Sequence, residues 1–322
     1  MKVLVTGAGG FIGTHLVKRF KEDGHWVLGV DLKKPLWSTS YADEFCLWDL
    51  REYYNCAYAC RRMDWVFNLA SDMGGAGFVF TGQNDMEIMF NNSFINLNML
   101  KAAQEEKVKR YFFSSSACAY PEYLQQQNEA LNLKESDAYP AQPDSEYGWE
   151  KIYTERLCGV VNRLGNINVR VARYHNIMGP LGTWDGGREK LPAAACRKVA
   201  MAKLTGNPEI EIWGDGKQTR SFCYIDDCIE ATIRCLKGEY AKPINIGSDR
   251  DISVNDVFDI VANIAGIEIV KKHIDGPIGV RGRNADLTLM KKELDYLPQV
   301  SLEDGLAKIY AWVEKQVLEK YD

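Results

Sequence analysis

The sequence predicts an α/β fold: a Rossmann-type doubly wound parallel sheet with a smaller α/β lobe beside it. Three observations predict it. Apolar, β-branched runs alternate with helical patterns through the first half of the chain. A glycine-rich turn joins the first run to the first helical pattern. Beyond Arg173 the alternation gives way to loops rich in Gly, Pro and Trp. Taken in order, strands are expected at residues 3–6, 26–30, 45–48, 65–69, 111–114 and 169–172, with helices between them that include 87–104 and 150–162. A helix over about 189–203 and short strands at 210–213 and 221–225 follow in what reads as the second lobe. A helix at 226–236 and a strand at 243–247 return to the main sheet, and the remainder, through Tyr310 and Trp312, completes the lobe.

At 322 residues the chain is long enough for one large domain plus the lobe. Its 46% hydrophobic and 26% charged residues are ordinary for a globular protein. A net charge of −5 speaks against a general nucleic-acid or membrane surface, so an anionic ligand must be held by local arginines. The nine cysteines are odd in number and show no paired metal-ligand spacing, and there are only four histidines, so no metal site is expected. Reduced thiols in a cytoplasmic compartment are the simplest account. With the first strand starting near Lys2, neither a signal nor a transit peptide is expected, and no apolar run approaches membrane-spanning length.

Gly7, Gly10 and Gly13 directly follow the apolar run Val3-Leu4-Val5 and open an amphipathic helix carrying Leu16, Val17 and Phe20. A turn from strand to helix needs residues without a Cβ where backbone meets a pyrophosphate, and the free N–H groups and dipole of the helix N-terminus then face the anion. The second strand ends near Asp31, at the distance where an acid binds an adenosine ribose. An acid there favours NAD over NADP, because it repels a 2′-phosphate; Lys33 and Lys34 close behind act the other way. The expected division is residues 1–178, joined by 226–248, as an NAD-binding domain, and 179–225 with 249–322 as the lobe for a second ligand.

The second chemical signature is Tyr147-Gly148-Trp149-Glu150-Lys151. At i and i+4 on a helix, Tyr and Lys project from one face, so the ammonium can lower the phenol's pKa and also reach a nicotinamide ribose. The spacing alone proves little, since such pairs are common on surface helices. Position adds weight. The pair opens a helix between the fifth and sixth strands and follows Ser114-Ser115-Ser116 at the C-terminal end of a strand, where open parallel sheets bind ligands.

Together, the three glycines, the serine-ended fifth strand and Tyr-x-x-x-Lys resemble the extended short-chain dehydrogenase/reductase family of nucleotide-sugar epimerases, decarboxylases and dehydratases, over nearly the whole chain. Within that family, Asp72-Met73-Gly74-Gly75, Ser114 to Glu122, His175 to Pro180, Gly182 to Lys190, Trp213 to Phe222 and Val280 to Asn284 are similar to the motifs of the GDP-mannose 3,5-epimerase group. One departure is the stretch 78–90, longer than that group's pattern and expected at the wall of the sugar pocket.

The resemblance implies a bound NAD, a GDP-sugar substrate, a homodimer, and inversion of GDP-mannose at C3 and C5, to GDP-L-galactose, GDP-L-gulose or both, through transient oxidation at C4. Tyr147, supported by Lys151 and aligned by Ser116, is implied to take the C4 hydroxyl proton, and Cys118 and Lys190 to move ring protons on opposite faces. It places Gly7, Gly10, Phe11, Ile12, Gly13, Asp31 and Asp49 at the cofactor with Tyr147 and Lys151. At the substrate it places Gly74, Ser116, Ala117, Cys118, Asn176, Glu189, Lys190, Lys198, Gln218, Arg220 and Arg283, the two arginines at the diphosphate, whose oxygens suit a planar fork of donors.

Structural alternatives stand beside these roles. Cys118 fits a small buried apolar side chain, the arginines fit surface charges, and Gly74 to Gly77 fit a plain loop. Lys190 at a helix start opposes the dipole, a misfit that favours function. Rival readings remain as well. An epimerase-reductase of the GDP-fucose synthase type pairs its cysteine with histidine and uses NADPH, against Asp31 and Lys190. A 4-epimerase, decarboxylase or dehydratase shares the scaffold, but the acids typical of the last two are absent at Ala117, Cys118 and Ala119. A non-catalytic NAD-binding regulator needs no Ser116, Tyr147 and Lys151 set.

Overall fold

The structure, a computed structural model, describes residues 1–127 and 131–321. Its main sheet is built from β1 (Lys2–Thr6), β2 (Trp26–Asp31), β3 (Glu44–Leu47), β4 (Trp65–Asn68), β5 (Arg110–Ser116), β6 (Asn168–Tyr174) and β7 (Ile244–Ile246). All pairs are parallel, in the order β7-β6-β5-β4-β1-β2-β3. The chain therefore winds outward from β1 through β2 to β3, then crosses back to β4, and the switch point lies between β1 and β4. Every strand expected for this sheet is present, with its ends within two residues of the expectation.

Alternate side chains of each strand enter different cores, which is what a pleated strand buried on both faces requires. Val3, Val5, Phe67, Phe112 and Ala172 meet Leu16, Val17 and Phe20 of α1 (Phe11–Glu22) on one face. Leu4, Val66, Tyr111, Phe113 and Val171 meet Cys56, Met99, Leu100 and Cys158 on the other. Those partners belong to α2 (Tyr53–Cys60), α3 (Asp85–Glu105) and α4 (Glu146–Leu164), which pack side by side. Burial on both faces explains why the strands read as unbroken apolar runs rather than alternating ones.

The rest of the chain contributes α5 (Leu191–Thr205), α6 (Ile225–Lys237), α7 (Val254–Ala265) and α8 (Leu302–Tyr321). α6 packs on α1 against the main sheet, while α5, α7 and α8 pack on one another. A second sheet has the order Asp251–Ser253, Thr219–Ser221, Gly282–Ala285, Asn132–Leu133. The single strand expected at 221–225 is two: Thr219–Ser221 joins this sheet, and Cys223–Tyr224 pairs instead with Ile177–Met178. One run thus serves two sheets, which periodicity alone does not reveal. Leu133, from the first half of the chain, pairs with Ala285. The helix expected from 189 begins at Leu191, because Lys190 is extended (φ −88°, ψ 162°) as the N-cap residue and Pro192 occupies the first turn. Among the described residues no helix is long and apolar enough to cross a membrane.

Candidate active site

β1 ends at Thr6 and the chain turns at Gly7, whose φ is +67°. A Cβ on Gly7 would lie 2.9 Å from the Leu69 carbonyl, and one on Gly13 would lie 2.1 Å from the Gly7 oxygen, so only glycine lets α1 start this close to the strand. α1 has no side-chain cap and no acidic residue in its first turn, which leaves its N–H groups and positive end for an anion. Asp31 accepts hydrogen bonds from the Gly9 amide at 2.9 Å and the Lys33 amide at 3.2 Å. Above this turn opens a cavity of about 530 Å³, lined by all nine residues expected at the cofactor. Among them Asp49 is gripped by Arg51 at 2.6 Å, whose hydrogen bonds hold the carboxyl below the usual carboxylate range. The uncapped helix end, the cradle that a Cβ would fill and the acid that ends β2 fit a dinucleotide.

β5 ends in Ser116, whose hydroxyl accepts from the Cys118 amide at 3.1 Å and so caps the short turn Ala117–Ala119. Seven of the nine cysteines are buried; Cys118, with Cys46, is only half-buried. α4 is N-capped by Ser145, which accepts from the Gly148 amide at 3.3 Å. A Cβ on Gly148 would sit 2.1 Å from the Cys118 carbonyl oxygen, so this glycine is what lets the first turn of α4 press Tyr147 against the Cys118 turn. The Lys151 ammonium lies 5.3 Å from the Tyr147 ring centre and 4.8 Å from that of Phe113, with both residues of the pair buried.

Burial pushes the Tyr147 phenol above its ordinary range, Cys118 and Glu150 push the same way, and the hydroxyls of Ser71 and Ser116 pull back. Desolvation thus outweighs the lowering by Lys151 that the helical spacing predicts. Burial also pulls the Lys151 ammonium down, opposed by Glu150, Cys158, Cys118 and Glu155.

A second cavity, of about 350 Å³, meets the first at Ser116, Tyr147, Asn176 and Lys190. All eleven residues expected at the substrate line it. Five cationic side chains, Lys190, Arg197, Lys198, Arg220 and Arg283, face it against two carboxylates, Glu189 and Glu211. Lys190 is exposed to solvent in the cavity, and the protein around it pulls its ammonium below the usual lysine range by desolvation; Cys118 and Cys228 oppose this and Arg283 adds to it. Arg283 donates to Cys118 Sγ at 3.2 Å, to Asp144 at 2.7 Å and to Gln125 at 2.5 Å.

Arg220 forks to the carbonyls of Thr219, Ile278 and Val280. Burial, with Arg283 beside it, pulls Arg220 down to about 9, so it stays charged at neutral pH. Lys198 spends its ammonium on the Glu211 carbonyl at 2.5 Å. Asn176 sits at φ +44°, a conformation asparagine tolerates, and donates to the Ser221 carbonyl at 3.0 Å. Gln218 donates to the Trp213 carbonyl at 3.2 Å, and its buried Oε1 accepts nothing. From the stretch 78–90, Val79 and Phe80 form the wall, and the Arg188 guanidinium lies 3.9 Å above the Phe78 ring.

Four residues at the site escaped the sequence reading. Gly148 and Glu150 lie inside the Tyr147–Lys151 motif, where a glycine and an acid in a helical first turn pass as ordinary. Asp144 and Gln125 carry no local signal, because their partner Arg283 is 139 and 158 residues away in the chain.

The fold and the paired cavities define a nucleotide-binding enzyme of the doubly wound class. The chain belongs to the NAD dependent epimerase/dehydratase family, which it matches over residues 3–247. It is 46% identical to the GDP-mannose 3,5-epimerase of Arabidopsis thaliana over 319 residues, 98% of this chain and 83% of that one. The solved structure of UDP-glucose 4-epimerase from Thermotoga maritima with UDP-glucose is similar at a TM-score of 0.85 and 27% identity, covering 98% of this chain and 100% of that one. UDP-glucuronic acid 4-epimerase from Bacillus cereus, in complex with UDP-glucuronic acid and NAD, gives 0.82 and 27%, with the same coverage.

Proposed function

We propose that this protein is a GDP-mannose 3,5-epimerase working with bound NAD. The observation that carries the reading is one cavity that holds Cys118 and Lys190 together and opens onto Tyr147. Its cationic lining, in a protein of net charge −5, suits a diphosphate, for whose oxygens Arg220 and Arg283 would exchange some of their present backbone and side-chain partners. Glu189, Lys198, Asn176, Gln218 and the backbone at Gly74 and Ala117 complete the grip on the sugar and nucleotide.

The glycine turn, Asp31 and Asp49 would hold NAD, which would supply the acceptor for the C4 hydride and give the same hydride back to C4 at the end of the cycle. Tyr147, with Ser116 aligning it and Lys151 beside it, takes the proton of the C4 hydroxyl. Once C4 is a ketone, the hydrogens at C3 and C5 become acidic, because the carbonyl delocalises the electron pair left behind. Cys118 and Lys190 then work as a pair, one removing a proton from one ring face while the other delivers a proton to the opposite face. A lysine held below its usual range gives up its proton more readily than a free one, as a group that must both take and deliver protons requires. Tyr147 finally returns its proton to the C4 oxygen.

A compartment and an oligomeric state belong to this reading. The nine free cysteines fit a reducing, cytoplasmic compartment. Met86, Phe90, Phe94 and Leu97 on α3 and Trp149, Tyr153, Val160 and Leu164 on α4 are exposed along one stripe of each helix, and two neighbouring helices with such stripes suit the contact of a homodimer.

The test is to incubate the protein with GDP-mannose in heavy water and follow C3 and C5 by NMR. Deuterium is expected at both carbons, and deuterium at neither, with substrate bound, would sink the proposal in favour of a 4-epimerase or a binding role. Protein purified without added nucleotide is expected to release NAD on denaturation; release of NADP would remove the role given to Asp31.

A further inference from the structure

One buried carboxylate beside Lys151 takes no part in the chemistry above. Glu150 is fully enclosed, a rare fate for a glutamate. Its Oε1 accepts from Asn96 Nδ2 and from Thr154 Oγ1, each at 2.7 Å. Its Oε2 accepts no hydrogen bond and lies 3.9 Å from the Lys151 ammonium. Asn96 accepts in turn from Asn68 Nδ2 at 2.8 Å, and Asn68 Oδ1 accepts from Thr6 Oγ1 at 2.8 Å. Thr6 Oγ1 also accepts from the Leu69 and Ala70 amides at 3.1 and 3.2 Å. A continuous buried path thus runs from the residue before Gly7, through the end of β4 and α3, to the helix that carries Tyr147 and Lys151.

An ammonium with 1% exposure needs a counter-charge, because desolvation otherwise favours its neutral form. The other groups around Lys151 are poor candidates. Glu155 is committed to Arg173 at 2.8 and 2.7 Å and to the Ser115 hydroxyl. Cys158 and Cys118 bring thiols, and Phe113 and Tyr147 bring ring faces. Glu150 has an uncommitted oxygen turned toward the ammonium, and Asn96 with Thr154 fix the carboxylate so that it cannot swing away.

We propose that Glu150 is a positioning residue for the Tyr147–Lys151 pair: the buried counter-ion that keeps the Lys151 ammonium charged and in place, tied through Asn96 and Asn68 to the turn that cradles the cofactor. This rests on reading Tyr147 and Lys151 as the proton-transfer pair. It does not depend on which sugar is turned over.

The test reads Lys151 directly. Holoprotein carrying ¹³C,¹⁵N-lysine, with Lys151→Arg to identify the resonance, gives the titration midpoint of Lys151 by NMR. Glu150→Gln is expected to lower that midpoint by about one unit or more. Glu150→Asp, whose carboxylate stands one methylene further back, is expected to fall between it and the parent. The alkaline limb of the pH profile for C4 oxidation moves to lower pH in the same order. An unchanged midpoint in either folded variant overturns the proposal and leaves Glu150 a packing residue; if Glu150→Gln does not fold, Glu150→Asp decides alone. Midpoints in the expected order without exchange at C3 or C5 would support this inference and remove the epimerase reading.

Discussion

Cys118 differs from the buried cysteines by its surroundings: a cavity on one side, a guanidinium at 3.2 Å on the other, and Lys190 across the same space. Cys118→Ala and Lys190→Ala are each expected to lose epimerisation by about a hundredfold or more while substrate affinity by calorimetry stays within a few-fold, as befits general acid–base groups. Near-normal turnover in both would mean that the ring protons are handled elsewhere. Tyr147→Phe should fail earlier. With Cys118→Ala, substrate should still generate reduced nicotinamide absorbance or a trapped 4-keto sugar, and with Tyr147→Phe neither. An identical block in both mutants would make Cys118 a supporting residue. Tyr147 and Lys151 were legible in the sequence because a helix brings i and i+4 together. The contacts of Arg283 with Gln125, Cys118 and Asp144 were not, because only the completed fold brings those segments into reach.

At the scale of elements, the position of α4 decides where Tyr147 stands, and Gly148 decides the position of α4. Gly148→Ala puts a Cβ against the Cys118 carbonyl oxygen, a backbone atom that cannot rotate aside. The helix must back away, so both turnover and Tm are expected to fall. Gly159→Ala in the same helix meets nothing within 4 Å and is expected to leave turnover unchanged and to stabilise by up to about 1 kcal/mol through helix propensity. Equal effects of the two substitutions on turnover would show that the close approach at Gly148 does not matter. For the homodimer contact proposed above, Phe90→Glu with Phe94→Glu is expected to yield monomers in sedimentation where the parent sediments as a dimer, and a dimer that persists would place the contact on another face. The main-sheet strands were legible because burial on both faces makes them unbroken apolar runs. The short strands around 219–224 were not, because their length is set by a change of partner and not by hydrophobic pattern.

Across the whole molecule, the two sheets are joined by a buried polar centre. Asn245 on β7 accepts from the Tyr120 hydroxyl at 2.7 Å, pairs with His175 Nε2 at 2.9 Å, and donates to the carbonyls of Leu133 and Asp286. His175 is fully buried with its Nδ1 unpartnered, and burial pulls its pKa from the ordinary 6.5 to about 3. The folded protein therefore keeps this ring neutral at pH values where the unfolded chain has already protonated it. Between pH 6.5 and about 3 the unfolded state binds more protons, so the contribution of His175 to stability is complete above 6.5 and is lost progressively as pH falls through that window. At about 1.36 kcal/mol per pH unit, the loss between pH 7 and pH 5 amounts to about 2 kcal/mol. His175→Gln can keep a hydrogen bond to Asn245 but cannot titrate. Urea unfolding at both pH values is therefore expected to show the parent losing about 2 kcal/mol more than the variant. Equal losses would mean that His175 is charged in the folded state or that its neighbours relax to admit the proton.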